Sequence, residues 1–333
     1  MLGGRKLVGF VALGALAASA STAATAGLSA ATPSASVVRY GWSNAAGYEA
    51  KWGAPYGPGE GTVTVGNGSV NVNAAPFTTA YDFSVFDHLK YIRVSNQAFA
   101  VPATGSLEIR ADITAHTPGT EPGRVIHGCY GAPGSWDGAT TCATPWSQPT
   151  FEGQQAGVVL NMINFATGQL FDWFVSENRV FALIERLPSN VTGVPGVGLD
   201  KAYTQIIKEA PLSEGAGASR KHTVSIRYTR GSGSPYVEYF LDGQLFTRVD
   251  NVGIPLDKQA VPYTGYAPSL GNGDVVDADS FVIGHGLFSL LDAFPYQHPD
   301  RPDLSVSIPI TERLFGQGAI GTWKNFQVTT RTS

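Results

Sequence analysis

The chain has 333 residues, 43% of them hydrophobic and 14% charged, which is enough apolar content to bury a large core. Its formal net charge is −4 and it holds no Lys/Arg-rich run, so the electrostatic attraction that dominates phosphate-backbone binding is missing and a nucleic-acid partner is excluded. Forty Gly and 21 Pro interrupt nearly every helix-length window, which excludes a helical architecture.

At the N-terminus, Arg5 and Lys6 precede an apolar run from Leu7 to Ala18 that dissolves into Ser, Thr and Ala. That is the layout of a secretory signal peptide, and the run is shorter than the roughly 20 apolar residues of a membrane span. No later segment is long and apolar enough to span, so a soluble, secreted, extracellular protein is expected. Ala18-Ser19-Ala20 and Ala24-Thr25-Ala26 both offer a cleavage site, and residues 1–26 are taken as the signal. Cleavage there removes two of the 22 cations and leaves 20 against 26 acidic residues, a balance of −6 that favours neutral or weakly charged partners. Residues 27–37, rich in Ala, Ser, Thr and Pro, read as a disordered leader, and residues 38–333 as a single domain.

Strand patterns follow in order. Leu107 to Thr114 is the first candidate. Cys129 and Cys142 then bracket a Gly/Ala/Ser/Thr-rich loop, and in an oxidising compartment such a pair reads as a structural disulfide, contributing about 3 kcal/mol on the chain-entropy model. Gln155 to Ile163, Gln169 to Ser176 and Arg179 to Arg186 are three more strands separated by turn clusters. Lys221 to Thr229 alternates His222, Val224, Ile226 and Tyr228 with Thr223, Ser225, Arg227 and Thr229, the period of a half-buried strand. Asp242-Gly243 between Tyr236–Leu241 and Gln244–Val249 is a strong hairpin signal. Ser280 to Ile283 and Gly321 to Thr330 complete the series, and many short strands joined by turns predict an all-β sandwich or barrel.

The hairpin VEYFLDGQLFTRVD and the closing strand GTWKNFQVTT resemble elements of the concanavalin A-like lectin and glucanase superfamily. That resemblance implies an antiparallel β-sandwich of the jelly-roll kind, two curved sheets face to face. The strings ALIERLP, IGHGLFSLLDAFPYQHP and SIPITERLFGQG are similar to a family of secreted, mostly actinobacterial proteins of unknown function, which supplies no catalytic residues to carry over. The Glu-x-Asp-x-x-Glu strand of the superfamily's hydrolases does not occur; the nearest string runs Glu108-Ile109-Arg110-Ala111-Asp112.

Three constellations could carry chemistry. In the first, a two-residue loop at Glu177-Asn178, with Asn tolerating positive φ, pairs Phe174 with Phe181 and Asp172 with Leu183. Phe171, Trp173, Val175, Val180, Ala182 and Ile184 then share an apolar core face, while Asp172, Phe174, Phe181 and Glu185 share the other. A four-residue loop at Asn164 to Thr167 puts Asn161 beside Asp172. Two carboxylates on neighbouring strands of one face suit acid–base work on a glycosidic bond, with Asp172 and Glu185 catalytic and Asn161, Phe174 and Phe181 contacting sugar. In the second, Asp274, Asp277 and Asp279 crowd one turn, and hard oxygen ligands of this kind could hold a structural Ca2+, the one cofactor the sequence suggests. In the third, His285 between two glycines permits close approach by a ligand, in front of a loop carrying Asp292, Phe294, Tyr296 and His298.

The functional expectation is a secreted protein that engages an extracellular glycan and cleaves it on the concave sheet. The alternatives are a lectin-like binding module without catalysis and a structural envelope protein.

Overall fold

The computed structural model describes residues 34–55, 58–79, 88–131, 145–187, 189–197, 203–212, 220–252, 273–291, 296–297 and 305–333. In chain order the first half runs β1 (Ser34–Arg39), α1 (Ala45–Lys51), β2 (Thr62–Gly66), β3 (Ser69–Ala74), β4 (Leu89–Val94), β5 (Phe99–Ala100), β6 (Gly105–His116), β7 (Arg124–Gly131), β8 (Pro145–Thr150) and α2 (Glu152–Gln155). It continues through β9 (Gly157–Asn164), β10 (Gln169–Val175), β11 (Arg179–Arg186), α3 (Ser189–Thr192), β12 (Tyr203–Pro211), β13 (Lys221–Arg230), β14 (Tyr236–Leu241) and β15 (Gln244–Val249). The last elements are β16 (Asn251–Val252), β17 (Gly273–Asp274), β18 (Ser280–Phe288), β19 (Tyr296–Gln297), β20 (Ser305–Ser307), α4 (Ile310–Leu314) and β21 (Ala319–Thr332). Among the described residues no helix is long and apolar enough to cross a membrane.

Two antiparallel sheets carry the fold. The first has the order β15-β14-β13-β6-β21-β3-β2, with β1 alongside the second half of β21; the other has the order β12-β11-β10-β9-β18-β4, with β5 extending β18. Neighbours distant in sequence, such as β6 between β13 and β21, mean that the chain crosses repeatedly between sheets, which is the jelly-roll-like sandwich expected. β7, β8, β19 and β20 form a smaller separate sheet.

The alternating strands meet where the period-two pattern says they should. Val224, Ile226 and Tyr228 of β13 and Ile109 of β6 face Phe171, Trp173 and Leu160 of the other sheet in one continuous core. Hydrogen bonds cross this core in both directions. Trp173 Nε1 donates to Ser225 O at 2.9 Å, Trp323 Nε1 to Val159 O at 3.0 Å and the Tyr239 hydroxyl to Leu183 O at 2.7 Å. Each satisfies a polar tip that burial would otherwise strand.

At the Asp242-Gly243 turn both residues take positive φ, 50° and 80°, as a tight two-residue hairpin between right-twisted strands requires. The β10–β11 turn closes differently. Asn178 does not enter the left-handed region; instead Ser176 Oγ accepts the Arg179 N–H at 3.0 Å while the Ser176 N–H donates to Arg179 O at 2.8 Å.

Three expectations are corrected. Residues 34–37 of the expected leader are strand, because Ser34–Arg39 pairs with Gln327 to Thr332 of β21, and residues 27–33 lie outside the described residues; composition cannot register an exposed edge strand held mainly by backbone bonds. Residues 152–155 form one helical turn before β9, which therefore starts at Gly157 and not at Gln155. The β9–β10 loop is 165–168, one residue later than expected, which moves the register by two and leaves every side chain on its expected face.

Candidate active site

β9, β10, β11 and β18 lie side by side with their outer face turned away from the other sheet. One row across that face runs Gly284, Asn161, Asp172, Leu183, each directly opposite the next. Glu185 lies opposite Leu170, two residues along β10 from Asp172, so the two acids are diagonal neighbours on one face, as the counting predicts. Around them Ile163, Leu170, Leu183, Phe174, Phe181 and Ile206 form a second hydrophobic cluster separate from the main core.

Both acids are withdrawn from water, Asp172 at 1% and Glu185 at 5% exposure. Burial holds the Asp172 carboxyl well above the usual carboxylate range, the charge of Glu185 raises it further, and the Asn161 amide partly opposes the rise. Asn161 is wholly buried, and neither its amide nitrogen nor its oxygen has a hydrogen-bond partner among the described residues; the same holds for Asp172 Oδ1. From the core side, Gln169 Nε2 donates to Glu185 O at 2.8 Å, and Gln169 Oε1 accepts from the Tyr203 hydroxyl at 3.2 Å, which ties β10 to β11 beneath the acids.

Phe174 and Phe181 are buried as well, stacked on each other with centroids 4.4 Å apart and planes at 12°, and Phe288 meets Phe174 edge-on. A Cβ at Gly153 of α2 would stand 3.0 Å from the Phe181 ring, so that helical turn rests directly on the stack. Their expected role as an exposed platform for a sugar ring is corrected: alternation assigns a face but does not say whether the face is covered.

His285 is corrected more fully. Its flanking glycines lie in the middle of β18, where no ligand approaches it, and its ring points into the main core at 0% exposure. There Nε2 bonds the Tyr48 hydroxyl at 2.8 Å, and Trp52 and Trp323 meet the ring at centroid distances of 4.4 and 5.1 Å. Burial, aided by the nearby Arg93 charge, lowers its pKa to about 3, so the imidazole is neutral. Gly284 is a residue whose role the sequence reading missed. A Cβ there would collide with Asn161 Oδ1, so the glycine makes room for a side chain of its own sheet and not for a ligand.

In the acidic turn, Asp277 pairs with Arg230 at 2.8 Å and Asp279 accepts from Ser280 Oγ at 3.0 Å. The Asp274 side chain lies outside the described residues, among which no cluster of three potential ligands forms. The Cys129–Cys142 pairing also lies outside them, as do Asp292, Phe294 and His298.

No curated protein matches the chain. Among solved structures, the endo-1,3-beta-glucanase from Streptomyces sioyaensis is similar over 93% of this chain and 100% of its own, at 13% identity and a TM-score of 0.43. The beta-agarase B from Zobellia galactanivorans is similar over 90% of this chain and 95% of its own, at 10% identity and a TM-score of 0.43. Similarity at that level carries no argument about activity. The model of a family of unknown function, DUF6081, matches residues 139–332, a span that includes Asn161, Asp172, Glu185 and Gly284. That match covers more than half of the 333 residues, and the chain belongs to the DUF6081 family.

Proposed function

We propose that the chain is a secreted protein that cleaves a neutral extracellular glycan, with Asp172 as general acid and Glu185 as its partner carboxylate. The observation that supports this reading is the diagonal placement of the two acids on one sheet face, where burial raises the Asp172 carboxyl well above the usual carboxylate range. Two carboxyls whose environments favour different protonation states are the minimum set for glycosidic cleavage, one giving a proton to the departing oxygen and the other acting as base or nucleophile. A site of two acids repels uronates and sulfates, which points to neutral sugars.

The test is incubation of the exported protein with a panel of neutral polysaccharides, measuring new reducing ends. Asp172→Asn and Glu185→Gln should each lower the rate by about 10²–10⁴-fold, the usual share of an acid or base, with little change in melting temperature. Full activity in either variant would end the proposal.

The burial of both acids and of the Phe174–Phe181 stack favours a second reading, a glycan-binding module in which the pair is structural. Calorimetric binding to a polysaccharide that yields no reducing ends would select it.

A further inference from the structure

We propose that Gln169 is the positioning residue for Glu185: its side-chain amide, at the start of β10, joins the Glu185 backbone to the Val276 backbone and the Tyr203 hydroxyl, and so fixes where the Glu185 carboxyl stands relative to Asp172. Gln169 is wholly buried, and both ends of its amide are bonded. Nε2 donates to Glu185 O at 2.8 Å, while Oε1 accepts from the Val276 N–H at 2.9 Å and from the Tyr203 hydroxyl at 3.2 Å. One side chain thus bridges β10, β11, β12 and the turn that precedes β18. In a buried, low-dielectric surround such bonds are strong, and a partner left without them is costly.

The turn that Gln169 grips is held from the opposite sheet as well. The Tyr228 hydroxyl of β13 donates to Val276 O at 2.7 Å and accepts from the Ala278 N–H at 2.8 Å, so the two backbone groups of Val276 go to different sheets. Glu185 has use for an anchor of this kind. The pairing of β11 with β12 shifts register between Ala182 and Leu183, two residues before Glu185. A bulge adds twist and re-aims nearby side chains, so pairing with β12 does not by itself set the direction of Glu185. The junction also explains why the residue is an amide. A carboxylate could not donate to Glu185 O, and an apolar side chain would strand the Val276 N–H and the Tyr203 hydroxyl. The anchoring stands apart from any substrate; its catalytic meaning rests on the glycan-cleaving reading, in which the spacing of the two carboxyls governs the reaction.

Titration of the Asp172 carboxyl followed by ¹³C NMR in the full chain reads that spacing without a substrate. The ionisable groups around this carboxyl are Glu185 of β11, Tyr239 of β14 and Tyr203 of β12, and Glu185 is the one whose backbone Gln169 holds. In Gln169→Met, close in length but without the amide, the Asp172 midpoint should shift by about one pH unit, the size of effect a displaced neighbouring charge has. Tyr203→Phe, which releases one bond to Oε1, should shift it less. A folded Gln169→Met protein with a lower melting temperature and an unchanged Asp172 midpoint would make Gln169 merely stabilising and overturn the proposal. If that variant does not fold, Tyr203→Phe decides: a shifted midpoint supports the anchor and an unchanged one refutes it. Where a glycan is cleaved, Gln169→Met should lower kcat by about 10²-fold at unchanged KM, the cost of a misplaced group, and unchanged kcat would count against the proposal. A shifted midpoint in a protein that cleaves no glycan upholds the anchor and ends only the proposed function; cleavage with an unmoved midpoint does the reverse.

Discussion

His285 and Asp172 are both buried ionisable groups, yet they pull stability in opposite directions with pH. The folded chain refuses His285 a proton until about pH 3, whereas the unfolded imidazole accepts one near its ordinary 6.5. Stability is therefore full above 6.5 and falls as the pH drops toward 3, by up to about 1.4 kcal/mol per unit. Asp172, with its folded pKa raised from 3.8, contributes fully below that value and loses stability as the pH rises through it. His285→Gln should flatten the acid side of the profile, with wild type losing stability faster than the variant between pH 6.5 and 4. Melting curves across that range would show this, and parallel curves would mean that the native imidazole is not held neutral. The Gly-His-Gly string exposes none of this, because it reads equally well as a loop beside a ligand and as mid-strand backbone pressed against Asn161 and Tyr91.

The β10–β11 hairpin was legible because its two faces differ in period-two pattern and its two-residue turn fixes the register. β1 was illegible for the converse reason. All six of its residues are exposed, Val37 at 53%, so no burial pattern marks it. It is held to β21 by backbone pairing and, at its exposed start, by the Ser34–Thr332 side-chain bonds, whereas β9 and β10 are buried throughout between neighbours on both sides. Hydrogen exchange should therefore divide them: amides of β1 open locally and exchange early, while those of β9 and β10 exchange only with global unfolding. Equal protection in β1 and β9 would contradict this ordering.

Cohesion between the two sheets comes from the continuous aromatic and aliphatic core and from the Trp173, Trp323 and Tyr239 bonds that cross it. Trp323 is wholly buried in the strand β21 that spans the first sheet, and its indole reaches Val159 of the other. Trp323→Phe should cost about 1–3 kcal/mol, since Val159 O loses its donor, and Trp323→Ala about 3–5 kcal/mol, since a cavity is added. Denaturant unfolding checks both values, and a Trp323→Phe protein as stable as wild type would show that the crossing bond contributes nothing.

The all-β class, the main strands and the shared face of Asp172 and Glu185 follow from alternation and turn chemistry, which act between residues a few positions apart. Tertiary structure alone decided that this face is covered, that His285 points inward to Tyr48 and that Gly284 yields its space to Asn161. Those outcomes depend on which strand lies beside which, and β18 meets β9 across more than a hundred residues of intervening chain. A periodic pattern places a side chain on one of two faces; what packs against that face comes from elsewhere in the chain and leaves no local trace.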